Sequence, residues 1–315
     1  MLREAPPWTG VGVVLLVTVV LLSVFQEKFL TYVNIMDILG NSAATMLLAL
    51  GSTYLLLTGL IDLSIGSLVG LGSMLLVGMM ATGMPVVLSL TATLVLITAV
   101  SVGFTGMLIV KAGMSFFVVG LGAMALLRAI AQIPTSGLSV PLTGKVGAET
   151  VIWLGSGRVL GIPVSAIIAT AAVLASLVVL SHTTFGRSLF AIGSNRDAAR
   201  LSGIPVDRAL LAAFAVNGAL VVIAAVLVTG RSQIASPEFG VGIELGVIAA
   251  VLLGGTSFQG GSATIVGTVI GVLFIGVLNN GLILLGVPVF WQGVVTGGVL
   301  LVAVGIDRLR ARGTS

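Results

Sequence analysis

The sequence predicts an all-α membrane protein of about ten transmembrane helices, and three observations carry that reading. Its 315 residues are 57% hydrophobic and 8% charged, with a mean hydropathy of +1.25, too little polar surface to cover a soluble globule of this length. The apolar residues fall in runs long enough to cross a bilayer, separated by short polar or glycine-rich breaks. The 43 glycines suit helices that meet closely in lipid, where packing through small residues replaces a water-driven core. The absence of cysteine excludes disulfides, thiolate metal sites and cysteine nucleophiles. Basic residues lie mostly beside span ends, so the net charge of +4 is not a nucleic-acid signature.

A first span covers residues 10–25, after an N-terminus bearing Arg3, and Gln26, Glu27 and Lys28 end it. No small-x-small exit precedes Phe25, so this run is expected to be retained as a membrane helix. Residues 41–58 make a second span. The break that follows, Gly-Leu-Ile-Asp-Leu-Ser-Ile-Gly-Ser at 59–67, sets one acid between two apolar segments. Residues 67–80 form a third span, Thr82 to Pro85 a tight turn, and residues 86–110 a long fourth span ending at Lys111. A fifth runs over 114–133. The stretch 134–162, rich in Ser, Thr, Gly and Pro, reads as the extended external loop, with Trp153 suited to the headgroup layer. Residues 163–180 and 209–229 are the sixth and seventh spans. Residues 243–253 are apolar but short, with Glu244 near their start, and a glycine-rich turn occupies 254–262. Spans over 265–285 and 290–306 lead to a tail with Asp307, Arg308, Arg310 and Arg312.

Counting the short segment gives ten crossings and puts both termini in the cytoplasm. Arg3, Lys111, Arg187, Arg196, Arg200, Arg208, Arg308, Arg310 and Arg312 then face inward, against Lys28, Lys145, Arg158 and Arg231 outside. That is the bias the positive-inside rule requires. Spans two to five and seven to ten enter from opposite sides, each block with a Gly/Ser-rich break after its first or second span. This is the pattern of inverted repeats with discontinuous helices.

Charge is densest at residues 186–208, between the sixth and seventh spans, with Arg187, Arg196, Asp197, Arg200, Asp207 and Arg208. Asn195 reads as an N-cap, residues 196–202 as a two-turn helix, and Gly203 with Pro205 as its stop. So short a helix is unstable alone in water and must pack on its own chain or a partner. The loop reads either as positive charge that sets topology or as a docking helix for a cytoplasmic partner.

No hydrolytic, redox or metal-binding pattern occurs. His182 lacks acidic neighbours, and neither Lys111 nor Lys145 sits in a phosphate-cradling loop; if ATP drives this protein, another chain hydrolyses it. Asp62 and Glu244 are the acids nearest the spans, where a carboxylate is costly unless hydrated, paired or functional. Asp62 either caps the next helix or serves in gating or partner contact, and Glu244 is expected to cap its short helix. Arg128 either snorkels to the outer interface or pairs within the bundle. Side chains available to a solute path are Asn41, Ser42, Thr45, Ser115, Phe116, Phe117 and Asn217, each equally serviceable as a helix–helix hydrogen bond or lipid-facing ring. Phe116 and Phe117 stand at the entrance of the fifth span, a position from which a ring is expected to close a pore.

Three stretches together resemble one family. Residues 59–67 resemble the Gly-Ile-Asp-Leu-Ser-x-Gly-Ser signature of ribose-type sugar permeases of bacterial ABC importers. Gly186-Arg187, Gly193-x-Asn195, Ala198-Ala199 and Leu201-Ser202-Gly203-Ile204 resemble their cytoplasmic coupling loop. Residues 251–257, Gly260-Gly261, Gly267-Thr268 and 278–287 resemble their C-terminal block. The likeness covers about residues 30 to 307. Leu60 in the first motif and Arg196-Asp197 at the head of the coupling helix depart from it. The resemblance implies a bacterial inner-membrane subunit working as a pair, with two cytoplasmic ATPase subunits that carry the ATP and Mg, and a periplasmic or lipoprotein binding protein that delivers the sugar. It also implies contact with the ATPase through Asn195, Ala198, Ala199, Leu201, Ser202 and Gly203. The residues by themselves offer Asp62, Asn41, Phe116 and Phe117 as gate or path candidates. The rival expectations are a secondary transporter coupled to protons through Asp62 or Glu244, and a passive channel.

Overall fold

The structure is a computed structural model and describes residues 8–288, 290, 291, 293–295, 297–299 and 301. Arg3, residues 302–306 of the tenth expected span and the tail from Asp307 lie outside the described residues. Helix α1 (Thr9–Phe25) precedes α2 (Tyr32–Leu56), whose Thr31 cap accepts the Asn34 amide at 3.4 Å. That cap starts α2 nine residues before the expected 41, because Asn34 and Asp37 hide its first turns from a hydropathy reading. Next come α3 (Ile65–Ala81) and α4 (Val86–Val100), which continues through a π-helical stretch (Ser101–Gly106) into α5 (Met107–Val110). Helix α6 (Phe116–Gln132) follows.

Where an open external loop is expected, the chain folds α7 (Ala148–Ser156) and two short antiparallel ribbons. Strand β1 (Val140–Pro141) pairs with β4 (Ile234–Ala235), and β2 (Arg158–Val159) with β3 (Ile162–Pro163). At nine residues α7 is too short to stand out in the sequence, and it is held by close backbone packing on a later helix. After α8 (Val164–His182) the expected charged loop is two helices, α9 (Thr184–Ser194) and α10 (Arg196–Leu201). Helices α11 (Val206–Ser232), α12 (Ile243–Leu253) and α13 (Ile265–Leu284) follow, and the described residues from 290 to 301 are helical as well.

Among the described residues six helices are long and apolar enough to cross a membrane: α2, the continuous Val86–Val110, the helix that begins with α6, α8, α11 and α13. Helices α1, α3 and α12 are shorter and apolar. The all-α, polytopic class rests on these. Helix α11 is central and packs on α2, α3, α4 and α7, burying Phe214, Val221 and Ala224. Outward-facing Leu16 and Val20 on α1, Val95 on α4 and Leu174 on α8 are exposed, as a lipid-facing surface requires.

Two elements break the run of long helices. Residues 57–64 follow α2 and lead into α3; residues 233–242 follow α11 and lead into α12. Segment 237–240 runs antiparallel beside the start of α3, so close that a Cβ on Gly66 would collide with the Gly240 carbonyl. The first turns of the two short helices are thereby brought together inside the bundle.

Candidate functional site

Helices α9 and α10 form an elbow built by short-range chemistry. The Thr183 hydroxyl accepts the Gly186 amide at 3.1 Å and starts α9 directly after α8. Leu189 and Ile192 then bury one face of α9, and Phe185 stacks on Tyr54 of α2 at 6.2 Å between centroids. Asn195 is extended, ends α9, and caps α10 by accepting the amides of Asp197 and Ala198 at 3.1 and 2.9 Å. Gly203 at φ 82° stops α10.

Of the residues expected to meet a partner, Asn195, Ala198, Leu201, Ser202 and Gly203 are exposed, and Ala199 is buried against its own chain. Leu201 is 89% exposed, an apolar side chain held out by a helix whose root is fixed. Arg196 and Arg200 flank it in the open. Arg200 and Lys111 reach Asp207 at 3.4 and 2.8 Å, tying α10, the end of α5 and the start of α11 at one end of the bundle. At the opposite end Arg158 meets Asp37 at 2.9 Å.

Asp62 is buried, and its carboxylate accepts from the Ser64 amide at 2.9 Å, the Ser64 hydroxyl at 2.5 Å and the Asn217 side-chain amide at 3.0 Å. It holds the turn that introduces α3 and ties it to Asn217 in the middle of α11, but it does not cap α3 as expected: the N-cap is Ser64, with no side-chain cap hydrogen bond. Three donors satisfy a buried carboxylate whose desolvation would otherwise be costly. Arg128 does not snorkel outward. It donates to the Pro237 carbonyl at 3.1 Å and the Ser67 hydroxyl at 3.2 Å, and stands 4.0 Å from Glu238. Its work is to satisfy a carbonyl of the non-helical segment beside α3, which backbone at membrane depth requires. Glu244 lies in the first turn of α12 without making the expected cap: Gly242 holds the N-cap position, and the Oε2 atom of Glu244 is buried with no hydrogen-bond partner among the described residues.

Asn41, Ser42 and Thr45 line a cavity of about 220 Å³ between α2 and α13, with Asn279 and Asn280 across it. Asn280 and Asn34 exchange hydrogen bonds at 2.8 and 3.1 Å above it. Phe116 packs against the core and Phe117 is exposed at the start of α6, a helix that packs on α3. The expected path residues therefore fall into separate groups: Asn41 in this groove, Asp62 and Asn217 as one buried pair, and the two rings at the foot of α6. Asn279 and Glu238 were not expected. The first sits in a quoted motif with nothing local to mark it, and the second acquires meaning only beside Arg128.

Long apolar helices and an elbow projecting at one end define a multi-pass membrane protein. The comparisons refine that class. A family described as the branched-chain amino acid transport system / permease component matches residues 34–304. The ribose import permease protein RbsC of Bacillus subtilis is 42% identical over 99% of this chain and 94% of its own length. RbsC of Escherichia coli K12 is 37% identical over 94% and 92%, and the xylose transport system permease protein XylH of the same strain 30% over 90% and 87%. No solved structure matches. The chain belongs to this family of bacterial ABC-importer permeases, and is a multi-pass protein of the inner membrane.

Proposed function

We propose that this chain forms the translocation path for a pentose or similar small sugar in an ATP-driven importer, and that α10 is its contact with the cytoplasmic ATPase. The sugar class is supported by relatives named for ribose, allose and xylose. The observation that carries the ATPase contact is Leu201, 89% exposed on a capped helix that is rooted through buried Ala199. The chain crosses the membrane ten times, counting α1, α3 and α12 and the helix after α13, with both termini and the α9–α10 elbow in the cytoplasm. The pairing of breaks at 57–64 and 233–242 supports two inverted repeats, each with one discontinuous helix. Two permease copies and a solute-binding protein complete the assembly.

The test is reconstitution with the neighbouring ATPase and binding protein in vesicles. ATP-dependent uptake of D-ribose, D-allose or D-xylose is expected, and Leu201→Asp is expected to keep the chain in the membrane while removing ATPase co-purification. Uptake driven by a proton gradient without ATP, or an undiminished ATPase complex with Leu201→Asp, would contradict the reading.

A further inference from the structure

Where the elbow meets the bundle, three chain segments touch through backbone alone. The Leu57 carbonyl, at the foot of α2, accepts the Gly261 amide at 2.9 Å. Gly193, at the end of α9, lies against the same pair: a Cβ there would run into the Leu57 oxygen and approach the Gly261 nitrogen at 2.5 Å. Gly261, at φ 79°, would in turn place a Cβ 3.3 Å from the Ser194 Cα. The glycine turn is braced internally, since the Ser257 amide donates to the Ser262 carbonyl at 3.0 Å and the Ser257 hydroxyl accepts the Gln259 amide at 3.2 Å. It leads from α12 into α13.

We propose that this junction of residues 57–59, 193–194 and 259–261 is the joint through which movement of α10 is passed to α2 and α13, the two walls of the polar cavity. The inference rests on the ATPase-contact reading of α10. Its physical ground is stiffness. A contact between backbones has no rotamers to absorb a displacement, and close-packed interiors pass strain on. Ala199 also packs α10 against the core, and the ionic link from α10 into the bundle, Arg200 with Asp207, is an exposed pair at 3.4 Å, of a kind that contributes little and slackens easily. Only a shared two-state displacement turns such a contiguous network into coupling, so the proposal is one of joint motion.

The test uses the assembled transporter and the absence of native cysteine in this chain. Ser194→Cys and Gln259→Cys, both at exposed positions, are bridged with a short bis-maleimide. If the two segments move as one, binding-protein-stimulated ATP hydrolysis and D-ribose uptake stay within about two-fold of the singly labelled controls, whereas a loss of about ten-fold on bridging overturns the joint. A second arm is Gly193→Ala, expected to retain basal ATP hydrolysis and lose about ten-fold in uptake; uptake at the parental rate would also overturn it. Should Gly193→Ala fail to assemble, the bridged pair decides. In the same complex, Leu201→Cys is cross-linked to the ATPase. No cross-link removes the contact reading itself, while a cross-link with a failed bridging arm removes only the joint.

Discussion

Asp62 and Asn195 are both polar residues beside helix starts, yet they do different work. Asn195 serves its own helix: two backbone amides point at its oxygen, and replacing such a cap by Ala costs about 1 kcal/mol. Asn195→Ala is expected to leave the amount of protein in the membrane unchanged and to lower ATP-dependent uptake, as α10 frays. Asp62 serves the bundle. Removing its carboxylate strands the Asn217 amide and the Ser64 hydroxyl in a buried site, a loss on the order of 1 to 3 kcal/mol. Asp62→Ala should therefore lower the thermal midpoint of the detergent-purified protein clearly, and exposed Asp197→Ala much less; equal midpoints for the two variants would remove the structural role of Asp62. The cap was legible because donor and acceptor are neighbours in sequence. Asn217 carries no sign of its partner, because the pair is made by packing α11 against the break after α2.

At the scale of elements, the elbow depends on where each helix stops. Gly203 adopts φ 82° with open space around its missing Cβ, so a side chain there meets no neighbour and is disfavoured by conformation alone. A β-branched residue costs about 1 to 2 kcal/mol in that region. Gly203→Val is expected to unwind the end of α10 and speed tryptic cleavage at Arg200 and Arg208, with cleavage elsewhere unchanged. Helix α10 is legible in the sequence because cap, helix and stop follow one another. Helices α9 and α7 are not, because each is short and is stabilised by a face laid on α11 or α2, contacts that hydropathy does not encode. The early start of α2 is hidden for a related reason: Asn34 is polar by composition but paired with Asn280.

For the whole molecule, the two ends of the bundle carry different charge groups. Lys111, Arg200 and Asp207 gather at the end that bears the elbow, and Arg158 with Asp37 at the other. Under the proposed topology, Arg196→Cys and Arg200→Cys in intact cells should stay unlabelled by a membrane-impermeant maleimide until the membrane is opened, while Lys145→Cys labels at once. Labelling of Arg196→Cys from outside would reverse the orientation and end the ATPase-contact reading. The starts of α3 and α12, each entered from a break, meet inside the bundle, where a Cβ on Gly66 would collide with the Gly240 carbonyl and approach Glu244.

Composition and the spacing of apolar runs by themselves determined that this chain lives in a bilayer as a bundle of helices. Those features answer to the solvent, and every helix must satisfy it separately. Motif order determined the family for the same local reason, since each motif is a continuous stretch of chain. Only the tertiary structure decided that Asp62 answers Asn217, that Arg128 turns inward to a bare carbonyl, and that Gly193 sits on Leu57 and Gly261. Those pairings depend on which helix surfaces meet, and a linear sequence records residue types without recording neighbours across the fold.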